Sequence, residues 1–212
     1  MASPYELTVD GFELQLATAH LGHFVLTNHI LPKLKAAAAT GKSPKTRIIN
    51  VSSKGTILGN GIRWDDPFFK KRPEEYSAWD AYGQAKTANV LFTLGLNKRL
   101  LTKNGIRSYA LHPGGIATNL GRYMNEKLWD EVKERAWKGK EIDFKTHQQG
   151  CATTLRAALD PELEKDKDGN VFLSDCQFTK DPEIVAPWAL DEEGAERLWK
   201  LSEELVGEKF EI

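Results

Sequence analysis

Residues 47–51 read Arg-Ile-Ile-Asn-Val, a short run rich in branched aliphatic residues that leads directly into Ser52 and Ser53. A run of this length and composition, bounded by turn-forming residues, is typical of a buried strand. On its N-terminal side, apolar residues recur at mostly helical intervals from Asp10 to Lys35, and Asp10 is the predicted N-cap. A loop that ends in the Ser-Pro pair at residues 43–44 separates the two. The order is therefore helix, loop, strand.

The same alternation continues to the C-terminus. Residues 81–101 contain no proline and are dense in Ala, Leu, Lys and Gln, which predicts a second long helix with Asn104-Gly105 at its C-terminal cap. We further predict strands at 106–111 and 171–173, a helix from Thr146 to about Leu159, and a last helix from Asp191 to Val206. Alternating helices and short hydrophobic strands indicate an α/β fold with a parallel sheet covered by helices.

Composition limits the possible functions. With 212 residues and a net charge of -1, from 29 basic and 30 acidic residues, the chain is expected to form one domain that binds neither nucleic acid nor an anionic membrane. Cys151 and Cys176 are interpreted as reduced thiols, and the histidines have no metal-ligand spacing. No stretch approaches the ~18 apolar residues of a membrane span. These features predict a cytoplasmic protein that acts on a small molecule or on another protein.

The strongest chemical signal is Tyr82-Gly83-Gln84-Ala85-Lys86, near the start of the second predicted helix. A spacing of four places the phenol and the ammonium on one helical face. A tyrosine is a poor acid or base at neutral pH unless a cation stabilises its phenolate, and Lys86 is placed to be that cation. By itself, such a pair is more often a solvated helix face.

Two further motifs follow predicted strands. Ser53 lies just after residues 47–51, at the carboxyl edge where open α/β sheets bind ligands. The second strand leads into His-Pro-Gly-Gly at 112–115, followed by Ile116 and Thr118, whose backbone and hydroxyl groups are suited to gripping an amide. By itself, the serine pair after the first strand would more often be the start of an ordinary loop.

Taken in order, Val-Ser-Ser, Tyr-x-x-x-Lys and Pro-Gly-x-x-x-Thr resemble the short-chain dehydrogenase/reductase family, and residues 7–13 with 20–24 are similar to its retinol-dehydrogenase-like branch. The resemblance implies a Rossmann-like doubly wound parallel sheet and hydride transfer between NADP, or NAD, and an alcohol or carbonyl carbon. It implies that Tyr82 is the acid/base, that Ser53 positions the substrate oxygen, and that Lys86 lowers the pKa of Tyr82.

The resemblance also implies a cofactor site and a lid. Residues 119–145 would cover an apolar substrate such as a ring-bearing alcohol or ketone. The cofactor would be held by residues of the Tyr-x-x-x-Lys and Pro-Gly-x-x-x-Thr motifs, namely Tyr82, Lys86, Pro113, Gly114, Ile116 and Thr118.

The chain departs from the family pattern in two places. The sequence contains no Gly-rich turn for binding pyrophosphate at a helix N-terminus, so we expect an incomplete fold, residues 1–212, without the first strands. Ala19 stands where the resemblance implies the asparagine of a catalytic tetrad. The strand at 47–51 is then expected to be an unpaired edge.

Three interpretations follow from these departures. The first is a working NAD(P)-dependent oxidoreductase, in a protein with an N-terminal extension outside this sequence. The second is a redox-inactive protein that forms a homo-oligomer or pairs with a full-length relative through its two long helices. The third is a cofactor-free acid/base site, formed by Ser53, Tyr82 and Lys86, for an isomerisation, dehydration or cyclisation.

Overall fold

The computed structural model describes residues 1–42 and 45–212, so the turn predicted at residues 43–44 lies outside the described residues. Its strands are β1 (Arg47–Val51), β2 (Arg107–His112), β3 (Gly115–Ile116), β4 (Phe144–Lys145), β5 (Phe172–Ser174) and β6 (Gln177–Phe178). Four of them form a sheet in the order β1-β2-β5-β6, in which β1, β2 and β5 are parallel and β6 is antiparallel. Strands β3 and β4 form a separate parallel pair. The predicted α/β class, with a parallel Rossmann-like sheet flanked by helices, is confirmed.

The three sequence-predicted strands are all present, but three short ones were not predicted. Strands β3, β4 and β6 have two residues each, which is too short for any periodic signal. The tight turn between β5 and β6 uses Asp175 and Cys176, both at positive φ (47° and 61°), where a glycine would have signalled a hairpin. The three predicted strands are therefore part of a larger set, which forms a four-stranded sheet and a two-stranded pair.

The helices are α1 (three consecutive pieces, Leu14–Leu16, a π-helical Ala17–Leu21 and Gly22–Ala38), α2 (Ala78–Asn104), α3 (Glu126–Trp137), α4 (His147–Leu159) and α5 (Glu192–Val206). The prediction that Asp10 caps α1 is wrong. Leu7 and Glu13 form a β-bridge around a turn that includes Gly11 at φ 79°, and the Glu13 carboxylate then accepts from the backbone of Gln15 and Leu16. Glu13 is the N-cap, since only after this turn does the backbone become helical.

Other predicted helix ends are confirmed. Gly105 ends α2 in the left-handed conformation at φ 67°. Thr146 forms a capping box with Gln149 at the start of α4, and Asp191 caps α5 through two backbone N–H groups. Helix α2 begins slightly before the predicted Ala81, because Ser77 accepts from the backbone N–H of Asp80.

Alternate residues of the parallel strands face opposite sides of the sheet. Ile48 and Ala110 face the side covered by α1, α2 and α5, where aromatic residues such as Phe92 and Trp199 form the core. Tyr109 and Leu111 face α4 on the other side. The pairing of Val51 with Leu111 brings the carboxyl ends of β1 and β2 to the same edge. Among the described residues β1 pairs only with β2, which makes it an edge strand, and Val51 remains 45% exposed.

Candidate active site

Residues from all three motifs meet at the carboxyl edge of the parallel sheet. Ser53 follows β1, residues 113–118 follow β2, and the first turns of α2 supply Tyr82 and Lys86. All of them line one cavity of about 470 Å³. The structure therefore brings every sequence-predicted site residue to one place, although their chemical roles stay predictions.

Tyr82 is held by close backbone packing behind it. A methyl group on the adjacent Gly83 would lie 2.0 Å from the carbonyl oxygen of Leu58, so α2 rests directly on the loop after Ser53. A methyl group on Gly55 would likewise meet the Tyr82 ring at 2.6 Å. The Trp79 ring packs edge-on against Tyr82 with 5.8 Å between centroids. The phenol thus has a fixed position at the cavity wall.

Ser53 joins that loop to the phenol. Its hydroxyl oxygen accepts from the backbone N–H of Gly55 at 2.9 Å and caps the short 3-10 turn Lys54–Ile57. Burial raises the pKa of Tyr82, and a hydrogen bond with Ser53 acts in the opposite direction. Desolvation of the phenolate sets the direction of this shift, and the lowering of the Tyr82 pKa by Lys86 stays a prediction.

Lys86 turns toward the end of β1. Its ammonium donates to the backbone oxygen of Val51 at 3.0 Å and lies 5.8 Å from the centre of the Tyr82 ring. The hydroxyl of Ser52 donates to the backbone oxygen of Lys86 at 2.8 Å, which ties the strand end to the helix. Desolvation lowers the pKa of Lys86 to about 8. An ammonium with this pKa exchanges its proton readily near neutral pH.

The loop after β2 forms the opposite wall. Gly114 has φ 98°, a conformation that a side chain rarely adopts, and its Cα faces the Lys145 side chain. Ile116 lies in β3 and packs against Gly150 of α4, where a methyl group would approach within 2.6 Å. Thr118 accepts from the backbone N–H of Leu120 at 3.2 Å. These contacts fix the backbone of residues 114–118 along the cavity.

Residues 119–145 close the remaining side, and most of their lining side chains are apolar. Val132 of α3 belongs to the same hydrophobic cluster as Trp79 and Tyr82, so this segment packs in the cluster that holds the candidate catalytic residue. Trp129 and Phe144 stack edge-to-face, 6.1 Å apart, and are partly exposed at the cavity. The lining residues contributed by this segment are Leu120, Gly121, Trp129, Val132, Trp137, Ile142 and Phe144.

His112 also lines the cavity and was not singled out from the sequence. Burial, with the charge of nearby Lys145, lowers the pKa of His112 to about 4, so the imidazole is neutral at pH 7. Its identity gave no signal, because a histidine before Pro-Gly is equally consistent with a loop residue. Among the described residues, no group of three or more His, Cys, Asp or Glu side chains is placed to hold a metal ion.

Several proteins to which the chain is similar are named as dehydrogenases. The chain is 38% identical to mouse retinol dehydrogenase 11 over 208 residues, covering 98% of this chain and 58% of that protein. It is 39% identical to human retinol dehydrogenase 12 over 211 residues, covering 100% and 60%. It is 38% identical to short-chain dehydrogenase/reductase prx1 of Penicillium roqueforti over 213 residues, covering 95% and 58%.

The chain is therefore similar to the short-chain dehydrogenase/reductase family along nearly its whole length. It spans about three fifths of the length of the relatives it matches. Its fold is similar to the crystal structure of an uncharacterized protein from Mycobacterium Paratuberculosis, with a TM-score of 0.66 and 34% identity over 100% of this chain and 65% of that one. No family model matches the chain. In the described part of the chain, every helix is too short or too polar to cross a membrane.

Proposed function

We propose that this chain carries the catalytic part of an NAD(P)-dependent oxidoreductase that interconverts an alcohol with a ketone or aldehyde. The observation that carries the proposal is the convergence of Ser53, Tyr82 and Lys86 on one cavity at the carboxyl edge of the parallel sheet. Relatives named retinol dehydrogenases support the reaction type.

In this mechanism the phenol of Tyr82 exchanges a proton with the substrate oxygen. Because burial raises the pKa of Tyr82, the phenol is protonated at neutral pH and is suited to donating to a carbonyl oxygen during reduction. The Ser53 hydroxyl, whose oxygen accepts from Gly55, would donate its proton to the same substrate oxygen in place of its hydrogen bond with Tyr82. Lys86 supplies positive charge at the phenol when alcohol oxidation needs the phenolate.

The nicotinamide end of a dinucleotide fits the residues present. Lys86 retains N–H capacity beyond its bond to Val51, and the fixed backbone of residues 114–118 offers peptide groups at the cavity. A bound nicotinamide would supply the hydride acceptor or donor. NADP(H) is the proposed form, with NAD(H) as the alternative. The sequence offers no Gly-rich turn for the pyrophosphate, so this half of the cofactor needs contacts other than that motif.

The cavity wall favours an apolar substrate with rings. Trp79, Trp129, Trp137 and Phe144 contribute aromatic surface to this cavity. Its polar lining side chains include Ser53, Tyr82, Lys86, His112 and Thr118. We propose residues 119–145 as the substrate lid, since they supply much of this apolar wall. We also propose that residues 1–212 form one partial Rossmann-like unit.

The exposed edge of β1 favours a second candidate function. An edge strand of a parallel sheet offers unpaired backbone groups to another polypeptide, and the missing Gly-rich turn weighs against independent cofactor binding. In this second proposal the chain pairs with another copy or with a full-length relative. The third possibility, cofactor-free acid/base catalysis by the same three residues, shares the site described above.

Nucleotide binding separates these proposals. We would titrate the purified chain with NADPH and NADH, following nucleotide fluorescence and heat, alone and mixed with the separately produced N-terminal half of a relative. The oxidoreductase proposal predicts binding by the chain itself that is lost in Lys86→Met and kept in Lys98→Met, a matched change on the exposed face of α2. Binding only in the mixture supports the pairing proposal. No binding in either sample, by a folded chain, contradicts the oxidoreductase proposal and leaves pairing with another copy and the cofactor-free site.

A further inference from the structure

Asn89 lies one turn beyond Lys86 on α2 and is almost completely buried, with 1% of its surface exposed. Its side-chain nitrogen donates to the backbone oxygen of Ala19 at 2.6 Å, and its side-chain oxygen lies 3.5 Å from the ammonium of Lys86. The amide therefore bridges helix α1 to the candidate catalytic lysine.

The orientation of this amide is fixed by its partners. A backbone carbonyl only accepts, so the amide nitrogen must face Ala19 and the oxygen must face Lys86. The acceptor belongs to the π-helical piece Ala17–Leu21, in which the usual helical hydrogen-bond pattern is shifted. Such π-helical turns are frequent at functional sites. Ala19 itself contributes only a backbone oxygen to the contact.

Two of the three ammonium donors of Lys86 then have protein acceptors. One is the backbone oxygen of Val51 at 3.0 Å, and the other is the side-chain oxygen of Asn89. With these directions occupied, the third N–H is left for the cavity that Lys86 lines. A lysine side chain has four flexible bonds, so an arrangement of this kind needs a rigid neighbour to hold it.

We propose that Asn89 is a positioning residue, which holds the ammonium of Lys86 in place and connects it to α1 at Ala19. The proposal rests on the proposed function only in giving Lys86 a catalytic role. Asn89 does not touch the cavity; it acts through Lys86. The sequence alone does not identify it, because an asparagine within a long helix resembles any polar position until Ala19 is placed opposite.

The titratable groups that face Lys86 come from α2 and from the N-terminal segment. From α2 it faces the phenol of Tyr82, and from the N-terminal segment it faces the amino group of Met1, whose pKa is lowered by burial first and then by Arg122 and Lys86. Burial is the cause of the lowered pKa of Lys86 itself. Removing a hydrogen-bond acceptor from the charged form would lower it further.

The test is an NMR titration of the nucleotide-free protein with lysine side chains labelled with ¹³C, in which Lys86→Met identifies the Lys86 signal. Asn89→Ala is expected to lower the pKa of Lys86 by about 0.5–1, the equivalent of one weak hydrogen bond to a charged group, and to increase the mobility of its terminal carbon. The control is Asn28→Ala. Asn28 is also buried, and its amide donates to the backbone oxygen of Phe24 within α1, away from Lys86.

A second measurement does not depend on whether a variant folds. In the unaltered protein, the side-chain amide signals of Asn89 should shift with the midpoint of the Lys86 titration. The proposal is overturned if those signals do not follow Lys86, or if Asn89→Ala leaves both its pKa and its mobility as they are in Asn28→Ala. Because no nucleotide is added, this result is independent of whether the chain binds NADPH.

Discussion

Gly83, next to the candidate acid Tyr82, has no room for a methyl group. The backbone of Leu58 approaches its Cα so closely that an added Cβ would overlap the carbonyl oxygen at 2.0 Å. At this residue scale the sequence shows only a glycine inside a helix, which usually reads as a small loss of helix stability. The structure shows why it is needed: the loop that carries Ser53 rests on it.

Gly83→Ala is expected to lower the free energy of unfolding by about 1–3 kcal/mol or more, because the backbone of Leu58, rather than a flexible side chain, must move away from the added methyl group. Urea unfolding measures this change. Gly22→Ala is the control, since its added Cβ would lie 3.5 Å from the Ala17 oxygen, an ordinary contact. Gly22→Ala should be neutral or stabilising by up to about 1 kcal/mol. Equal destabilisation by both changes would contradict the close packing described here.

At the scale of elements, helix α3 is attached to the first turn of α2. The indole N–H of Trp79 donates to the backbone oxygen of Leu128 at 3.1 Å, and Arg135 pairs with Asp80. Because Tyr82 lies one turn after Trp79 and Asp80, the proposed lid is tied to the same turn that carries the candidate acid. Movement of the lid and the position of the phenol should therefore be linked.

Arg135→Ala is expected to loosen the proposed lid without unfolding the chain. A partly exposed ion pair contributes about 0.2–1 kcal/mol, which corresponds to an increase of up to about fivefold in the opening equilibrium of α3. Hydrogen–deuterium exchange of the amides in Glu126–Trp137 measures it. Lys133→Ala is the matched control, because its partner Glu141 lies within residues 119–145 and does not connect them to α2. Identical exchange in both variants would show that Arg135 does not hold the lid.

The sequence predicted elements most accurately where they are long or have clear caps. The capping box at Thr146 and the glycine at 105 were readable because these residues satisfy local backbone groups. Asp10 was a wrong N-cap because the bridge between Leu7 and Glu13, a tertiary feature of the loop, delays the helix. Strand β6 was not predicted because its turn uses non-glycine residues at positive φ.

At the scale of the whole molecule, a buried histidine makes stability depend on pH. His20 lies in the core among Phe24 and Phe92, with its ring hydrogen-bonded to the Ser202 hydroxyl at 2.7 Å. Desolvation lowers the pKa of His20 to about 3, from the 6.5 of an unfolded chain. Between these values the unfolded state binds more protons than the folded state, so stability falls as the pH is lowered through this window.

The free energy of unfolding is therefore expected to fall by up to ~1.4 kcal/mol per pH unit for each such histidine as the pH drops from about 6.5 toward 3. His112, with a pKa of about 4, adds in the same direction down to that value. His20→Phe should reduce the slope in urea titrations at several pH values, and the change of exposed His147→Gln serves as control. An unchanged slope in His20→Phe would rule out His20 as a source of acid sensitivity.

The sequence by itself determined the α/β alternation, most helix ends, and the three motifs that resemble the short-chain dehydrogenase/reductase family. Those features depend on local periodicity, capping and residue identity, which a linear pattern contains. Only the tertiary structure decided that Ser53, Tyr82 and Lys86 line one cavity, that burial raises the pKa of Tyr82, and that Asn89 bridges Lys86 to Ala19. Desolvation and hydrogen bonds between distant residues arise from packing, and packing is not encoded in the spacing along a chain.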